Sequence, residues 1–161
     1  MQIVLCSDNH GDRKSLDIIL ARHPKADFYL HCGDSEFTQS MLRPFASVRG
    51  NNDYDYSFPK ERVVNTVNHS IFITHGNLYH SNISLLAKRA KEEGCDIVFY
   101  GHTHSFYNNV VDDVYFVNPG STFYNRDMSD PCYAIVNIDD VTGGITTEKI
   151  NVYVKWVYNR F

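Results

Sequence analysis

The segment Ile3-Val4-Leu5-Cys6-Ser7-Asp8-Asn9-His10-Gly11 places a short apolar run directly before a polar loop that ends in glycine. A short apolar run with this ending is typical of a buried parallel strand. Apolar residues at helical spacing follow over residues 15–22, with Asp12 as the expected N-cap and Pro24 beyond the helix end. The segment therefore predicts the opening strand and helix of a βαβ unit.

Short apolar runs that end in turn-forming residues recur along the rest of the chain. A second amphipathic helix is predicted after Ser81 and ends near Gly94, whereas only strand-like segments follow Phe106. A βαβα half followed by a β-rich half predicts two sheets packed face to face with helices outside them. The predicted strands are 3–6, 28–31, 47–49, 62–67, 70–74, 96–100, 106–111, 114–117, 133–138 and 145–154, with a tight turn at Asn68-His69.

Length and composition predict one soluble globular domain over residues 1–161. Fifteen Lys and Arg against 19 Asp and Glu give a formal net charge of -4. An acidic chain does not attract a nucleic-acid backbone over its whole surface, so we expect no stable nucleic-acid binding. No apolar run approaches the roughly 20 residues that span a bilayer, and no export signal follows Met1. We therefore expect no membrane association and a cytoplasmic protein.

The four cysteines are separated single residues within apolar segments. This spacing indicates neither a CxxC metal site nor a disulfide framework. We expect buried, reduced thiols, which also favours the cytoplasm. The residues are Cys6, Cys32, Cys95 and Cys132.

Asp, His and Asn side chains follow five of the predicted strands, at the point where each strand ends. Ligands bind beyond the carboxyl ends of strands in open α/β sheets, so we expect these loops to converge. Asp and His together suit hard to borderline divalent metals. Seven potential ligands are too many for one ion, but one carboxylate that bridges two ions about 3.5–4 Å apart accommodates them. The loops are Ser7-Asp8-Asn9-His10-Gly11, Gly33-Asp34-Ser35, Gly50-Asn51-Asn52-Asp53, Thr74-His75-Gly76 and Gly101-His102-Thr103-His104.

This ordered set resembles the five motifs of the calcineurin-like metallophosphoesterase superfamily, which read D-x-H, G-D, G-N-[H/C]-[D/E], an isolated H and G-H-x-H. The chain looks most like the short single-domain phosphodiesterases of the YfcE-like branch, whose Asn-Pro-Gly-Ser turn matches residues 118–121. The resemblance spans residues 7–121. It implies a four-layer α/β/β/α sandwich of two mixed sheets flanked by helices.

The resemblance also implies two divalent metal ions per chain. Manganese is the first expectation, and nickel, iron, cobalt and zinc accept the same ligand types. Asp34 would bridge the ions and, with Asn51, Asn52 and His75, make up the implied catalytic set. Asp8, His10 and His104 would hold the first ion, and Asn51, His75 and His102 the second.

The implied activity is hydrolysis of a small phosphodiester by a hydroxide shared between the two ions. Two divalent ions against Asp8, Asp34 and one hydroxide leave a local charge of about +1, so an acidic protein still binds a phosphodiester there. Two alternatives stay open. One is a non-catalytic metal-binding interaction scaffold of the same fold, like the retromer subunit, and the other is a phosphomonoesterase or nucleotide pyrophosphatase with the same ions.

Asn52 departs from the motif, because many relatives carry a His at this position and the YfcE-like branch often carries a Cys. A neutral amide cannot release a proton, so we expect unassisted departure of the leaving group and loss of an effect worth about 10²–10⁴-fold. Two alternatives are that Asn52 only caps a turn, or that a residue such as His80 supplies the acid.

The C-terminal end of the chain carries an unusual number of aromatic side chains, among them Tyr153, Trp156, Tyr158 and Phe161. Packing on the body of the protein is one interpretation. Burial in a homo-oligomer is the other, because large aromatic residues are enriched in interface cores. Elsewhere, contact with a phosphate is one interpretation of Arg49, but its strand-end position favours a surface ion pair, and no catalytic role is predicted for it.

Overall fold

Two five-stranded sheets form the centre of the structure, a computed structural model that describes residues 1–154. Trp156, Tyr158 and Phe161 of the aromatic tail lie outside the described residues, so their role in an oligomer stays a prediction. The strands are β1 (Gln2–Cys6), β2 (Phe28–His31), β3 (Ala46–Ser47), β4 (Glu61–Asn65), β5 (Ser70–Thr74), β6 (Ile97–Phe99), β7 (Phe106–Val111), β8 (Val114–Pro119), β9 (Cys132–Ile138) and β10 (Ile145–Asn151), and the helices are α1 (Arg13–Arg22), α2 (Gln39–Leu42) and α3 (Ile83–Glu92).

Both sheets are mixed, as predicted. The first has the order β10-β9-β1-β2-β3, in which β1 is parallel to β2 and antiparallel to β9. The second has the order β4-β5-β6-β8-β7, with parallel β5, β6 and β8 between two antiparallel edge strands. The carboxyl ends of β1, β2, β5 and β6 lead into four of the polar loops singled out by the sequence.

Alternate residues of the central strands serve different cores, because successive side chains of a strand lie on opposite faces. In β1, Ile3 and Leu5 pack between the two sheets, whereas Val4 and Cys6 pack on the side of α1. In the second sheet, Phe72 packs on the side of α3. A fully buried aliphatic or aromatic side chain contributes about 1.5–3 kcal/mol. The layers of helix, sheet, sheet and helix are thus held by three separate cores, and the predicted four-layer fold is confirmed.

Several strand boundaries differ from the predicted ones. The last strand ends at Asn151 rather than 154, because Asn151 pairs with the first residue of β9 and the preceding Pro131 has no N–H to extend the ladder. The third strand covers Ala46–Ser47 rather than 47–49. The turn between β4 and β5 takes four residues, closed by the N–H of Thr66 on the carbonyl of His69 at 2.8 Å, rather than two.

Side-chain caps define where the two longer helices begin. Asp12 caps α1 as predicted, because its carboxylate accepts the N–H groups of Lys14 and Ser15 at 3.1 and 3.4 Å. The helix α3 begins after Asn82, whose side-chain oxygen accepts the N–H of Leu85 at 3.1 Å. The four-residue α2 is not predicted, because it is too short for a helical period to show in the sequence.

The cysteine prediction is confirmed, since all four thiols are buried and free. Across residues 1–154, the structure contains no helix with the length and apolar character needed to cross a membrane.

Candidate metal centre

The carboxyl ends of strands from both sheets meet at one edge of the sandwich. In the first sheet, the N–H of Asp8 donates to the carbonyl of Gly33 at 3.0 Å and joins two of the loops. In the second sheet, the N–H of Gly101 donates to the carbonyl of His75 at 3.0 Å. The pair of loops in the first sheet contacts the pair in the second, because Nδ1 of His75 lies 2.7 Å from the carbonyl oxygen of Cys32. The structure therefore brings these four loops together, as their positions after strands predict.

Most of the predicted ligands have a left-handed backbone conformation. Non-glycine residues with positive φ are uncommon, cost of order 1–3 kcal/mol each and cluster at functional sites. Their concentration at this edge supports a functional role for it. The residues and their φ angles are Asp8 (55°), His10 (44°), Asp34 (55°), His102 (68°) and His104 (53°).

Gly33 permits the close approach of three loops beside this edge. Its φ of 96° lies in the left-handed region that favours glycine. A Cβ at this position would lie 2.8 Å from the backbone nitrogen of Gly50 and 2.9 Å from Nδ1 of His75. Glycine is therefore required here both for its backbone conformation and for the space.

Asp8, His10 and His104 form the first group of potential metal ligands, with one ligand atom from each within 4.8 Å of the others. The Nε2 atoms of His10 and His104 lie 3.1 Å apart. Asp8 Oδ1 lies 3.2 Å from Nε2 of His104 and 3.9 Å from Nε2 of His10. A carboxylate oxygen and two imidazole nitrogens thus face one another, an arrangement that a cation stabilises.

Hydrogen bonds at Nδ1 orient three of the imidazole rings. In each pair the partner is an oxygen that accepts, so Nδ1 carries the proton and Nε2 of the neutral ring keeps a lone pair for a metal. Metal-ligating histidines almost always donate their other N–H to a carboxylate or a carbonyl in this way. The pairs are His10 with Glu36 Oε1 at 2.7 Å, His75 with the Cys32 carbonyl at 2.7 Å and His104 with the Tyr124 carbonyl at 2.8 Å.

Asp8, Asp34 and His75 form the second group, again with their ligand atoms within 4.8 Å of one another. Nε2 of His75 lies 3.3 Å from Asp34 Oδ2 and 3.9 Å from Asp8 Oδ1. Among the described residues, neither Nε2 of His75 nor Oδ1 of Asp8 has a hydrogen-bond partner, although both atoms are buried. Buried polar atoms without partners are rare and costly, so these two atoms fit a bound cation.

Asp8 belongs to both groups, whereas Asp34 belongs only to the second. The family resemblance implies that Asp34 bridges the two ions. In the structure, the carboxylate common to both groups is that of Asp8, and the bridging role of Asp34 stays a prediction.

The charges of the cluster favour anionic carboxylates beside a positive group. Burial raises the pKa of Asp34, but its interactions with His75 and Asn52 outweigh burial and hold that pKa well below the usual range. Burial lowers the pKa of His75, but its close contact with Asp34, at 3.3 Å, and the charge of Asp8 outweigh burial and raise that pKa. The contact of His104 with Asp8, at 3.2 Å, raises the pKa of His104. The carboxylates thus stabilise positive charge on the rings of His75 and His104. A metal ion bound beside these rings would supply positive charge at the same place.

Asn52 contacts Asp34 through two hydrogen bonds. Its backbone N–H donates to Asp34 Oδ1 at 2.8 Å, and its side-chain Nδ2 donates to Asp34 Oδ2 at 2.7 Å. A carboxylate oxygen accepts more than one partner, so these bonds leave acceptor capacity for an ion. The sequence predicts Asn52 beside the leaving group, whereas the structure gives its amide a contact with a ligand.

The remaining two predicted ligands lie at the border of the cluster. The ring of His102 is 5.1 Å from the ring of His75 between centroids, and the backbone N–H of His102 donates to Asp8 Oδ2 at 3.0 Å. Asn51 is exposed, and its side chain forms no hydrogen bond within residues 1–154. Their roles as ligands of the second ion stay predictions.

Sequence reasoning missed the residues that hold the ligands in place. Buried Asp53 accepts the N–H groups of Asp34, Glu36 and Gly50, each at 2.8 Å. The hydroxyl of Ser7 donates to Asp8 Oδ2 at 2.6 Å. Asp53 and Ser7 lie inside the predicted loops, which is a usable sequence signal. Glu36 lies one residue beyond the loop Gly33-Asp34-Ser35 and carries no such signal.

Arg49 does not form the surface ion pair predicted for it. Its backbone N–H donates to the carbonyl of Pro59 at 2.7 Å, and its guanidinium lies 4.7 Å from the ring centroid of Tyr56. Within the described part of the chain, no carboxylate oxygen lies within 4.0 Å of this guanidinium.

Comparison with known proteins agrees with the fold and the motifs. A family model for the calcineurin-like phosphoesterase superfamily domain matches residues 1–141. The chain therefore belongs to the calcineurin-like phosphoesterase superfamily. It is similar to the probable metallophosphoesterase YsnB of Bacillus subtilis, with 34% identity over 145 residues that cover 87% of this chain and 86% of that protein. It is also similar to the phosphodiesterase MJ0936 of Methanocaldococcus jannaschii, with 30% identity over 74% of this chain and 83% of that protein.

Solved structures share the whole architecture. A predicted phosphoesterase from Streptococcus pneumoniae superposes with a TM-score of 0.80 at 28% identity and covers 92% of this chain and 97% of its own. Vps29 of Entamoeba histolytica superposes with a TM-score of 0.74 at 23% identity over 93% and 98% of the two chains, a likeness of fold alone.

Proposed function

We propose that this chain is a phosphodiesterase that hydrolyses a small phosphodiester with two divalent metal ions. The proposal is carried by the convergence of Asp8 Oδ1 with the Nε2 atoms of His10, His75 and His104. Two of these four atoms are buried without a hydrogen-bond partner in residues 1–154. Membership of the phosphoesterase superfamily supports hydrolysis, and the name of the relative MJ0936 supports a diester as substrate.

The residues of this chain would bind and orient the ions and the substrate. Asp8, His10 and His104 would hold one ion, and Asp34 and His75 the other, with Asn51 and His102 completing its shell. When bound, divalent ions stabilise the charge on a phosphate and make water nucleophilic near neutral pH. We favour manganese because the site combines carboxylate oxygens with imidazoles, and nickel, iron, cobalt and zinc are the other ions to test.

The test compares metal content and hydrolysis in one series. Protein stripped with a chelator is reloaded with each metal, and the bound ions per chain are counted by mass spectrometry. Each sample then receives bis(p-nitrophenyl) phosphate and p-nitrophenyl phosphate, which share a leaving group and differ in diester or monoester character. We expect two ions per chain, no hydrolysis without metal and faster hydrolysis of the diester. His104→Gln should lose metal and activity, whereas His23→Gln, a change outside the two ligand groups, should keep both.

Three outcomes contradict the proposal in different ways. Faster hydrolysis of the monoester would assign the chain to the phosphomonoesterases. Two bound ions without turnover of either ester would favour the interaction scaffold. A stoichiometry of zero or one under excess metal would overturn the two-ion centre itself.

A further inference from the structure

A small basic pocket lies beside the candidate metal centre. It has a volume of about 230 Å³, below the roughly 300–1,000 Å³ of pockets that hold a complete drug-sized ligand. Its walls include Arg49, Gly50, Asn51, Tyr56 and Lys60. A volume of this size suits one functional group of a larger substrate.

The pocket and the metal centre share a wall. Gly50 lines the pocket, and a Cβ built on Gly50 would lie 2.1 Å from Oδ1 of Asp34. Asn51, a proposed ligand of the second ion, lines the same pocket. A group bound in the pocket is therefore separated from the candidate centre by one glycine backbone.

Two cationic side chains of the pocket lack an anionic partner. Within residues 1–154, no carboxylate oxygen lies within 4.0 Å of the charged nitrogens of Arg49 or Lys60. The acidic residue in the wall, Asp53, is buried and already accepts N–H groups from Asp34, Glu36 and Gly50. The charge left over in the pocket is therefore positive.

The fold holds the guanidinium of Arg49 in position and places the backbone of Lys60 beside that of Arg49. The N–H of Arg49 bonds to the carbonyl of Pro59 at 2.7 Å and closes the neck of the loop between them, which places Lys60 next to that bond. The guanidinium of Arg49 lies over the ring of Tyr56 at 4.7 Å. A cation held by a ring face loses less conformational entropy when it binds a ligand.

We infer that the substrate carries a second phosphate, in addition to the diester that is cleaved, and that this phosphate binds between Arg49 and Lys60. The inference rests on the proposed function and specifies its substrate class as a phosphodiester with a phosphorylated arm. Guanidinium groups bind phosphate through paired, charge-assisted hydrogen bonds, and a lysine adds a second positive charge.

The test uses two substrates with the same cleaved bond. The p-nitrophenyl ester of thymidine 5′-phosphate is compared with the same ester bearing a 3′-phosphate, on metal-loaded protein. We expect kcat/KM to be about tenfold higher for the ester with the 3′-phosphate, mainly through KM. The double variant Arg49→Ala/Lys60→Ala should reduce this ratio to about 1. The control Lys25→Ala/Lys88→Ala removes the same charge at two exposed positions that do not line the pocket and should keep the ratio.

Each contrary result has a defined meaning. A ratio near 1 in the wild type, a ratio that survives in Arg49→Ala/Lys60→Ala, or an equal loss in the control variant would overturn the inference. If neither ester is cleaved, the proposed function fails instead. In that case, calorimetry tests the pocket alone by comparing the affinities for thymidine 3′,5′-bisphosphate and thymidine 5′-phosphate. We expect about tenfold tighter binding of the bisphosphate in the wild type and in the control, and a ratio of about 1 in Arg49→Ala/Lys60→Ala.

Discussion

Asn52 holds both carboxylate oxygens of Asp34, through its backbone N–H on Oδ1 at 2.8 Å and its side-chain Nδ2 on Oδ2 at 2.7 Å. The two bonds fix the orientation of a proposed metal ligand before any ion binds. The two bonds support a positioning role for Asn52, and its expected place beside the leaving group stays a prediction.

Asn52→Ala removes the side-chain bond and keeps the backbone bond. We expect metal affinity to fall roughly 10-fold, the lower end of the 10–100-fold effect of residues that orient ligands. A competition titration with a chromophoric chelator measures this, and Asn108→Ala on the exposed face of β7 is the matched control. The slope of log kcat against leaving-group pKa should stay unchanged. A steeper slope with unchanged metal affinity would place Asn52 beside the leaving group after all.

Asp34→Asn should impair activity far more than Asn51→Ala. Asp34→Asn removes a charged ligand, and the loss of several kcal/mol of transition-state stabilisation by the ions should lower kcat/KM at least about 100-fold. Asn51→Ala removes one neutral, exposed metal ligand, so we expect kcat/KM to fall about 10-fold. Steady-state kinetics at saturating metal measure both, and equal losses would argue against a bridging role for Asp34.

Much of the fold can be predicted because the strands of this protein are short apolar runs with clear ends. The alternation of Ile3, Val4, Leu5 and Cys6 between two cores cannot be seen in the sequence, since all four residues are apolar. Such a run predicts a strand buried on both faces, and the layers on each side follow from topology. The boundaries that differ, such as that at Asn151, depend on where the partner strand ends.

The candidate ligands can be predicted because their residue types and order are unusual, whereas a supporting residue outside the predicted loops, such as Glu36, cannot. Glu36 meets His10 across two loops, and this contact depends on the left-handed backbone of both residues. In the sequence, Arg49 follows a strand like many surface arginines. Only its contact with the ring of Tyr56, seen in the structure, distinguishes it from them. Contacts of this kind depend on backbone conformations and loop closures that no spacing rule specifies.

Glu36→Ala should weaken the proposed site of His10 by roughly 10-fold in metal affinity, because His10 loses the acceptor of its Nδ1 proton. Glu36→Gln retains an oxygen that accepts the same proton and should recover most of the affinity. Metal titrations of both variants, with Glu148→Ala on β10 as an exposed control, test this. If Gln and Ala weaken binding equally, the charge of Glu36 matters rather than its position.

Gly33→Ala should destabilise the protein by more than Gly11→Ala. Both glycines have positive φ, at 96° and 77°, so both changes carry a backbone cost of about 1 kcal/mol. Only at Gly33 would the new Cβ meet fixed atoms, at 2.8 Å and 2.9 Å, whereas Gly11 has open space around it. We expect an additional loss of about 1–3 kcal/mol at Gly33, the usual range for overpacking. Urea denaturation measures both variants, and equal losses would show that the loops move apart without cost.

His69 should contribute stability that depends on pH at the opposite end of β5 from the proposed ligand His75. Its Nδ1 lies 2.6 Å from Asp96 Oδ2, and its Nε2 lies 2.7 Å from the carbonyl oxygen of Gly143. Partial burial lowers the pKa of His69, but the hydrogen bonds and the charge of Asp96 outweigh burial and raise the pKa above its ordinary value of 6.5.

Because the folded pKa of His69 exceeds the unfolded one, the stabilisation is complete below the unfolded pKa and is lost as pH rises through the folded pKa. The difference in unfolding free energy between wild type and His69→Gln should therefore be larger near pH 5.5 than near pH 9, by at most about 1 kcal/mol for a partly exposed pair. Urea denaturation of both proteins at the two pH values measures it, and titrating groups common to both cancel in the difference. Asp96→Asn, which removes the negative partner but keeps an acceptor, should reduce the pH dependence. A difference that stays constant or grows with pH would show that His69 is not held as the charged form in the folded protein.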